Sequence, residues 1–302
     1  MAAEQVADSG WLWAVFTLIA AAAQTVRNAT QRELTAQLGT AGATHVRFLF
    51  GFPFALLFLA AVMSGLGQGW PHPPLAFWPW VIDGAFAQVA ATALMLAAMN
   101  DRAFVVVYAY IKTEPVQAAL FGLIFLGDAV TPALAAAIVA ATSGVVIMAL
   151  KPAVVKDVRA TLQGLAAGAM FALSAVGFRG AILSLGLDSY IMAATFTLVA
   201  GLILQSALLS IYLLLRNPEV LAAIMRKWQP SLFAGFMGAL ASQFWFLAFA
   251  LATAASVRTL ALVEVLFAQA ISRFVFRQRT TLREVVGIVL IVAGVVLLVR
   301  AR

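Results

Sequence analysis

Cysteine is absent from the 302-residue chain. That excludes disulfides, thiolate nucleophiles and cysteine-ligated metals. Histidine is scarce: His45 and His72 are the whole supply, too few for a histidine metal site. Charge is scarce too, at 10% of residues against about 25% in soluble domains. No Gly-x-x-x-x-Gly-Lys phosphate loop is present, so ATP hydrolysis has no motif behind it. Neither a Gly-x-Ser-Gly nor a His-Glu-x-x-His pattern occurs. An enzyme is therefore not expected, and no cofactor or metal is implied. Apolar residues fill the space, at 64% of the chain with a mean hydropathy of +1.01. One water-soluble core cannot hide that much apolar chain, and a disordered chain needs the opposite composition. The solvent must be lipid.

A spanning helix needs roughly 20 mostly apolar residues. Ten segments qualify, near 11–35, 44–65, 75–99, 103–126, 132–150, 161–184, 190–215, 230–251, 254–276 and 282–299. Backbone breakers divide them, among them Gly39 and Gly42, Pro71, Pro73 and Pro74, Asn100-Asp101, Gly127-Asp128, Lys151-Pro152 and Asn217-Pro218. Residues 285–299 are apolar all round, unlike the alternating strands of a β-barrel. The first span is not read as a cleaved signal, since residues 1–10 carry Glu4 and Asp8 but no basic residue. The net charge of +7 reads as loop charge rather than as a nucleic-acid surface. The odd-numbered connections hold fourteen Lys and Arg, Arg27 and Arg47 counted among them, and the opposite side three. The positive-inside rule then places both termini outside the cytoplasm, periplasmic in an inner membrane.

Shifted by 150 residues, the chain partly matches itself. Trp78 meets Trp228, Phe86 meets Phe236, Glu114 meets Glu264, Thr131 meets Thr281, and Gly144 meets Gly294. Each half, 1–150 and 151–302, holds five expected spans. Two equivalent halves with an odd number of spans must lie in opposite orientations. The expected fold is therefore all-α and integral to the membrane, ten helices in two inverted five-helix repeats, as in many secondary transporters.

Charges inside lipid cost at least about 2.5–3.5 kcal/mol each on insertion scales. Lys112, Glu114, Arg258 and Glu264 fall inside expected spans. Lys112 and Glu114 are two residues apart and point to nearly opposite helix faces; Arg258 and Glu264, six apart, also diverge. Each must pair across helices, line water or touch substrate. Pro115 should kink the fourth span near residue 111. Tyr108 shares that span. Polar stripes recur elsewhere: Thr17, Gln24, Asn28 and Gln31 in the first span, and Gln88, Thr92, Met95 and Met99 in the third. Ser174 and Phe178 lie in the sixth, and Ser242 and Gln243 beside Trp245 and Phe246 in the eighth. Helix-to-helix hydrogen bonding and cavity lining are both open for these. Gly164 and Gly168 permit close helix approach, read as packing within a monomer. Trp11, Trp13, Trp70, Trp78 and Trp80 fit an interfacial belt.

Two five-span halves, with Lys112-Thr113-Glu114-Pro115 then Leu126-Gly127-Asp128 in the first, resemble the drug/metabolite transporter superfamily, EamA type. The second half carries Arg258-Thr259-Leu260 through Glu264, then Phe276-Arg277-Gln278. The fifth and tenth spans end in Gly-Val-Val. Two departures stand out: many relatives are drawn with cytoplasmic termini, and Val265 stands where the shift expects a proline. The resemblance implies a helical basket around a central cavity formed by spans 1, 3, 4, 6, 8 and 9, and export of amino acids, drugs or other metabolites. A YddG-type aromatic amino-acid exporter is one such branch. The expected substrate is a small organic metabolite, an amino acid with an apolar or aromatic body favoured. Proton-coupled efflux of lipophilic cations is the alternative, with a channel or receptor behind both. The lipid bilayer and that small solute are the expected partners, with no nucleic acid.

Overall fold

A computed structural model describes residues 10–99, 104–149, 158–274 and 281–300. The expected boundaries at Asn100-Asp101 and Lys151-Pro152, and the Phe276-Arg277-Gln278 run, lie outside the described residues. The described residues are mostly helical, with no strand among them. Six of their helices are long and apolar enough to cross a bilayer: Gln37–Leu66, Pro132–Ala149, Val158–Ser184, Tyr190–Arg216, Trp228–Leu251 and Leu282–Arg300.

In chain order the elements are α1 Leu12–Leu49, α2 Gly51–Leu66, α3 Phe77–Met99, α4 Phe104–Ile111 and α5 Glu114–Phe121. A π-helical turn, Gly122–Leu126, extends α5. Then come α6 Pro132–Ala149, α7 Val158–Ser184, α8 Tyr190–Arg216 and the short α9 Pro218–Arg226. The chain closes with α10 Trp228–Leu251, α11 Ala254–Ala261, α12 Val263–Phe274 and α13 Leu282–Arg300.

The divide between the first two expected spans takes a single residue. Gly39 adopts φ 70°, ψ 176° inside α1, with helix on both sides. That left-handed φ costs a residue with a Cβ, and glycine nothing. The expected spans at 103–126 and 254–276 are each cut in two, α4 from α5 and α11 from α12.

The chain divides into two compact units. One comprises 1–89 and 177–251, the other 90–176 and 252–302. In the first, α1 packs along α10, and α8 packs on α1, α2 and α10. Glycines allow the closest approaches: a Cβ at Gly235 would lie 2.5 Å from the Phe50 Cβ, and one at Gly180 2.5 Å from the Trp80 ring. In the second unit α6 packs along α13. A Cβ at Gly144 would lie 2.6 Å from the Gly287 carbonyl oxygen, and one at Gly294 2.7 Å from the Ala141 nitrogen. The two glycines paired by the 150-residue shift thus do the same work on opposite sides of one helix contact. The shifted threonines match as well. Thr131 caps α6 by accepting from Leu134 N at 3.2 Å. Thr281 caps α13 in a reciprocal box with Glu284, whose carboxylate accepts from Thr281 N at 2.6 Å.

The Gly164 and Gly168 step packs within the chain. A Cβ at Gly164 would meet the Val107 carbonyl oxygen at 2.6 Å, and one at Gly168 the Gln117 Oε1 at 2.9 Å. The tryptophan belt needs one correction: Trp11, Trp70 and Trp78 are exposed, but Trp13 is 2% exposed and donates from its indole to the Gly10 carbonyl at 3.2 Å.

Candidate functional site

The four charges expected at depth all fall in the second unit. Pro115 offers no N–H, so the helix through 103–126 cannot run unbroken. Backbone turns of the i to i+3 kind bridge the gap: Thr113 N donates to Tyr110 O at 3.1 Å and Val116 N to Thr113 O at 3.0 Å. The break falls at residues 112–113, one to two residues beyond the expected kink. The other cut helix has no proline, yet it breaks in the same way. Leu262 N donates to Thr259 O at 3.2 Å and Val265 N to Leu262 O at 3.1 Å. Leu262 itself has φ −61°, ψ −16°, the tighter 3₁₀ geometry that marks a helix under local strain. A glutamate opens the helix after each break: Glu114 in α5 and Glu264 in α12.

These breaks bring the charges together crosswise. Lys112 Nζ pairs with Glu264 Oε1. Arg258 Nε lies 2.8 Å from Glu114 Oε1, an ion contact without hydrogen-bond alignment. Every side chain in the quartet is largely buried. Each pair joins a residue of 1–150 to a residue of 151–302, and α5 packs on α11. Within each helix the charges diverge, as their spacing requires. The pairing across helices neutralises charges that the bilayer would otherwise penalise. Buried pairs of this kind repay their desolvation only when the geometry is held. The break in each helix sets that geometry.

Two more candidates lie in the same unit. Thr92 on α3 and Ser174 on α7 are fully buried. The side chains of Tyr108, Gln31 and Met99 lie outside the described residues.

The first unit gathers a different set. Trp245 Nε1 donates to Gln24 Oε1 at 3.1 Å, joining α10 to α1. Gln243 Nε2 donates to Thr195 Oγ1 at 2.8 Å, joining α10 to α8, while Gln243 Oε1 is buried without a hydrogen bond. Gln88, on α3, is 7% exposed. Arg27 Nη2 donates to Asn28 Oδ1 at 2.8 Å. Aromatic rings pack beside these groups: Trp245 stacks on Phe249 with 22° between planes, and Phe178 and Phe246 lie 4.6 Å apart.

Sequence reasoning missed two features here. Arg27 counted as a loop charge, yet it is 4% exposed within α1, and a Cβ at Gly238 would lie 3.6 Å from its Cδ and 3.2 Å from the Arg47 Cγ. The run of helix through residues 12–38 was the available signal, since it leaves Arg27 well short of the turn. His45, placed near a span start, is fully buried and shares a 3.0 Å hydrogen bond with Ser210 on α8. Thr195 also escaped notice; nothing in its own neighbourhood of sequence distinguishes it.

Residues 159–300 match the EamA-like transporter family. The EamA-like region takes in Arg258, Glu264 and the break at Leu262. The match covers a little under half of the chain; it supports a likeness to the drug/metabolite transporter superfamily, whose EamA-like members are membrane transporters of small molecules. No curated protein sequence matches the chain. Among solved structures, 26 chains match. One crystal structure, titled only as that of a protein, covers 94% of this chain and 97% of its own at 17% identity, with a TM-score of 0.65. That likeness shows a shared fold.

Proposed function

We propose that this protein is a secondary transporter that exports small organic metabolites, amino acids with aromatic or other apolar side chains favoured, by alternating access. One observation carries the reading: two helices are interrupted at matched points, and each opens afterwards with a buried glutamate held by a cation from the other half of the sequence. A static membrane scaffold has no use for two broken helices and four buried charges. A transporter does, because ion pairs can be exchanged for substrate charges, and short helices can move where long ones cannot. The matched glycines and threonine caps of α6 and α13 support two inverted five-helix repeats, 1–150 and 151–302.

A solute bearing an amine and a carboxylate can compete for both signs of charge. Glu114 and Glu264 answer the amine, and Lys112 or Arg258 the carboxylate. Gln24, Asn28, Gln88, Gln243 and Trp245 in the first unit, and Thr92 and Ser174 in the second, are candidates for neutral contacts; Tyr108 joins them on its sequence position alone. The aromatic pairs around Trp245 and Phe246 suit an apolar ring. The setting is an inner membrane, with both termini periplasmic and the protein acting as a monomer.

Counterflow in proteoliposomes tests this. Liposomes loaded with labelled phenylalanine should lose label faster when unlabelled phenylalanine is added outside, and a panel of amino acids should compete. Equal loss with and without external solute would indicate a channel. Competition by quaternary amines, with dependence on an imposed pH gradient, would mark lipophilic-cation exchange instead.

A further inference from the structure

The short helix α9 joins α8 to α10 and lies on the first unit rather than across anything. Ile224 is fully buried, and Val220, Leu221 and Ala223 pack with it on a cluster of Leu34, Leu38, Val46 and Leu213. Gly42 lets the helix in: a Cβ there would lie 2.8 Å from the Val220 Cγ1. Arg226 and Lys227 at its end are exposed. They open on a cavity of about 340 Å³ walled by Leu34, Gln37, Arg226, Lys227, Trp228 and Gln229. That volume falls at the small end of the roughly 300–1,000 Å³ typical of ligand pockets. The chemistry of the wall is uneven. Two exposed cations and two amides line it together with an aromatic ring and Leu34. Cations and amides together suit a phosphate, and Trp228, 51% exposed, is the residue type that settles at the headgroup level of a bilayer. The cavity also lies where two of the basic odd-numbered connections meet, those between the first two spans and between the seventh and eighth. The positive-inside rule assigns that side to the cytoplasm, where the leaflet is anionic.

We propose that this cavity binds the phosphodiester headgroup of an anionic phospholipid, with Arg226 and Lys227 on the phosphate, the Gln37 and Gln229 amides beside it, and Trp228 and Leu34 against the glycerol and the first methylenes. The site is independent of substrate transport. It ties α9 to the lipid on one side and to α1, α8 and α10 on the other.

Native mass spectrometry of the full chain released from nanodiscs of equal phosphatidylglycerol and phosphatidylcholine tests the site. Wild type should retain one phosphatidylglycerol in preference to phosphatidylcholine. The R226Q/K227Q variant should retain it at least about tenfold more weakly, a loss of roughly 1.4 kcal/mol. R216Q/R283Q removes the same charge outside the cavity and should bind as wild type does. R226K/K227R, which keeps both cations, should also retain the lipid and guards against misfolding. Equal retention of the two lipids, or equal weakening in both glutamine variants, would overturn the proposal. So would inorganic phosphate quenching Trp228 fluorescence, judged against W228F, with no preferential lipid retained, because the occupant would then be the free anion.

Discussion

The two units solve the problem of polar groups in lipid by different means. The first joins its helices by neutral hydrogen bonds, Trp245 to Gln24 and Gln243 to Thr195, cushioned by aromatic rings, and the buried charge in this set, Arg27, leans on the neutral Asn28. The second uses formal charge, Lys112 with Glu264 and Arg258 with Glu114. The difference in kind implies a difference in stakes. Removing one partner of a neutral bond leaves a group worth about 1–3 kcal/mol of lost solvation. Removing one partner of a buried ion pair leaves a charge, at about 3–5 kcal/mol. The same difference separates what each can do: neutral contacts shape a surface, whereas charges can be traded for those of a solute.

The sharpest break in that comparison is Glu264→Gln. It should destabilise the protein by about 3–5 kcal/mol, read as a lowered unfolding temperature in detergent. K112Q/E264Q should recover most of the loss, since no formal charge then remains on that pair; an unchanged melting temperature in the single variant would equate the two units. Next comes Gly164→Ala in the second unit. Its new Cβ would meet a backbone oxygen at 2.6 Å, which cannot swing aside, and overpacking of this sort costs about 1–3 kcal/mol. In the first unit, Trp245→Phe keeps the ring stack and loses the bond to Gln24, for about 0.5–1.5 kcal/mol. Its larger effect should be on transport, as a raised KM in phenylalanine counterflow. The smallest effect belongs to Val265→Pro. A proline in the middle of a helix costs about 3 kcal/mol, but one in the first turn is tolerated. Val265 is the third residue of α12 and its N–H makes only the turn bond to Leu262 O, so the loss read from the melting temperature should stay near that one bond, about 0.5–1 kcal/mol. A drop equivalent to 3 kcal/mol would mean that the helix through 254–276 is continuous in the protein.

Much of this contrast was written in the sequence. Composition alone required helices in lipid, and the spacing of Lys112 and Glu114 required partners on other helices. The shift of 150 residues pointed at Glu264 before any geometry was known. Pro115 announced one break through its missing N–H. The second break was not legible, because Leu262 carries no backbone handicap and its turn depends on tertiary context. Arg27 was misread as well. It lies inside the expected span 11–35, yet the count of basic residues assigned it to the connection that follows; the continuation of α1 to Gly39 shows it well within the helix. The polar stripes on α1 and α10 were visible, but which members meet was not. That choice follows from how α1 lies along α10, a matter of three-dimensional register that periodicity in either helix leaves free.

The missing proline at position 265 makes the two interruptions unequal over time. Every residue from Leu262 to Leu266 keeps its amide hydrogen, so the backbone there has every donor that a continuous helix needs. The helix bearing Pro115 can only bend. The alternating access proposed above would then turn on two unlike joints, and its two directions of opening need not cost the same.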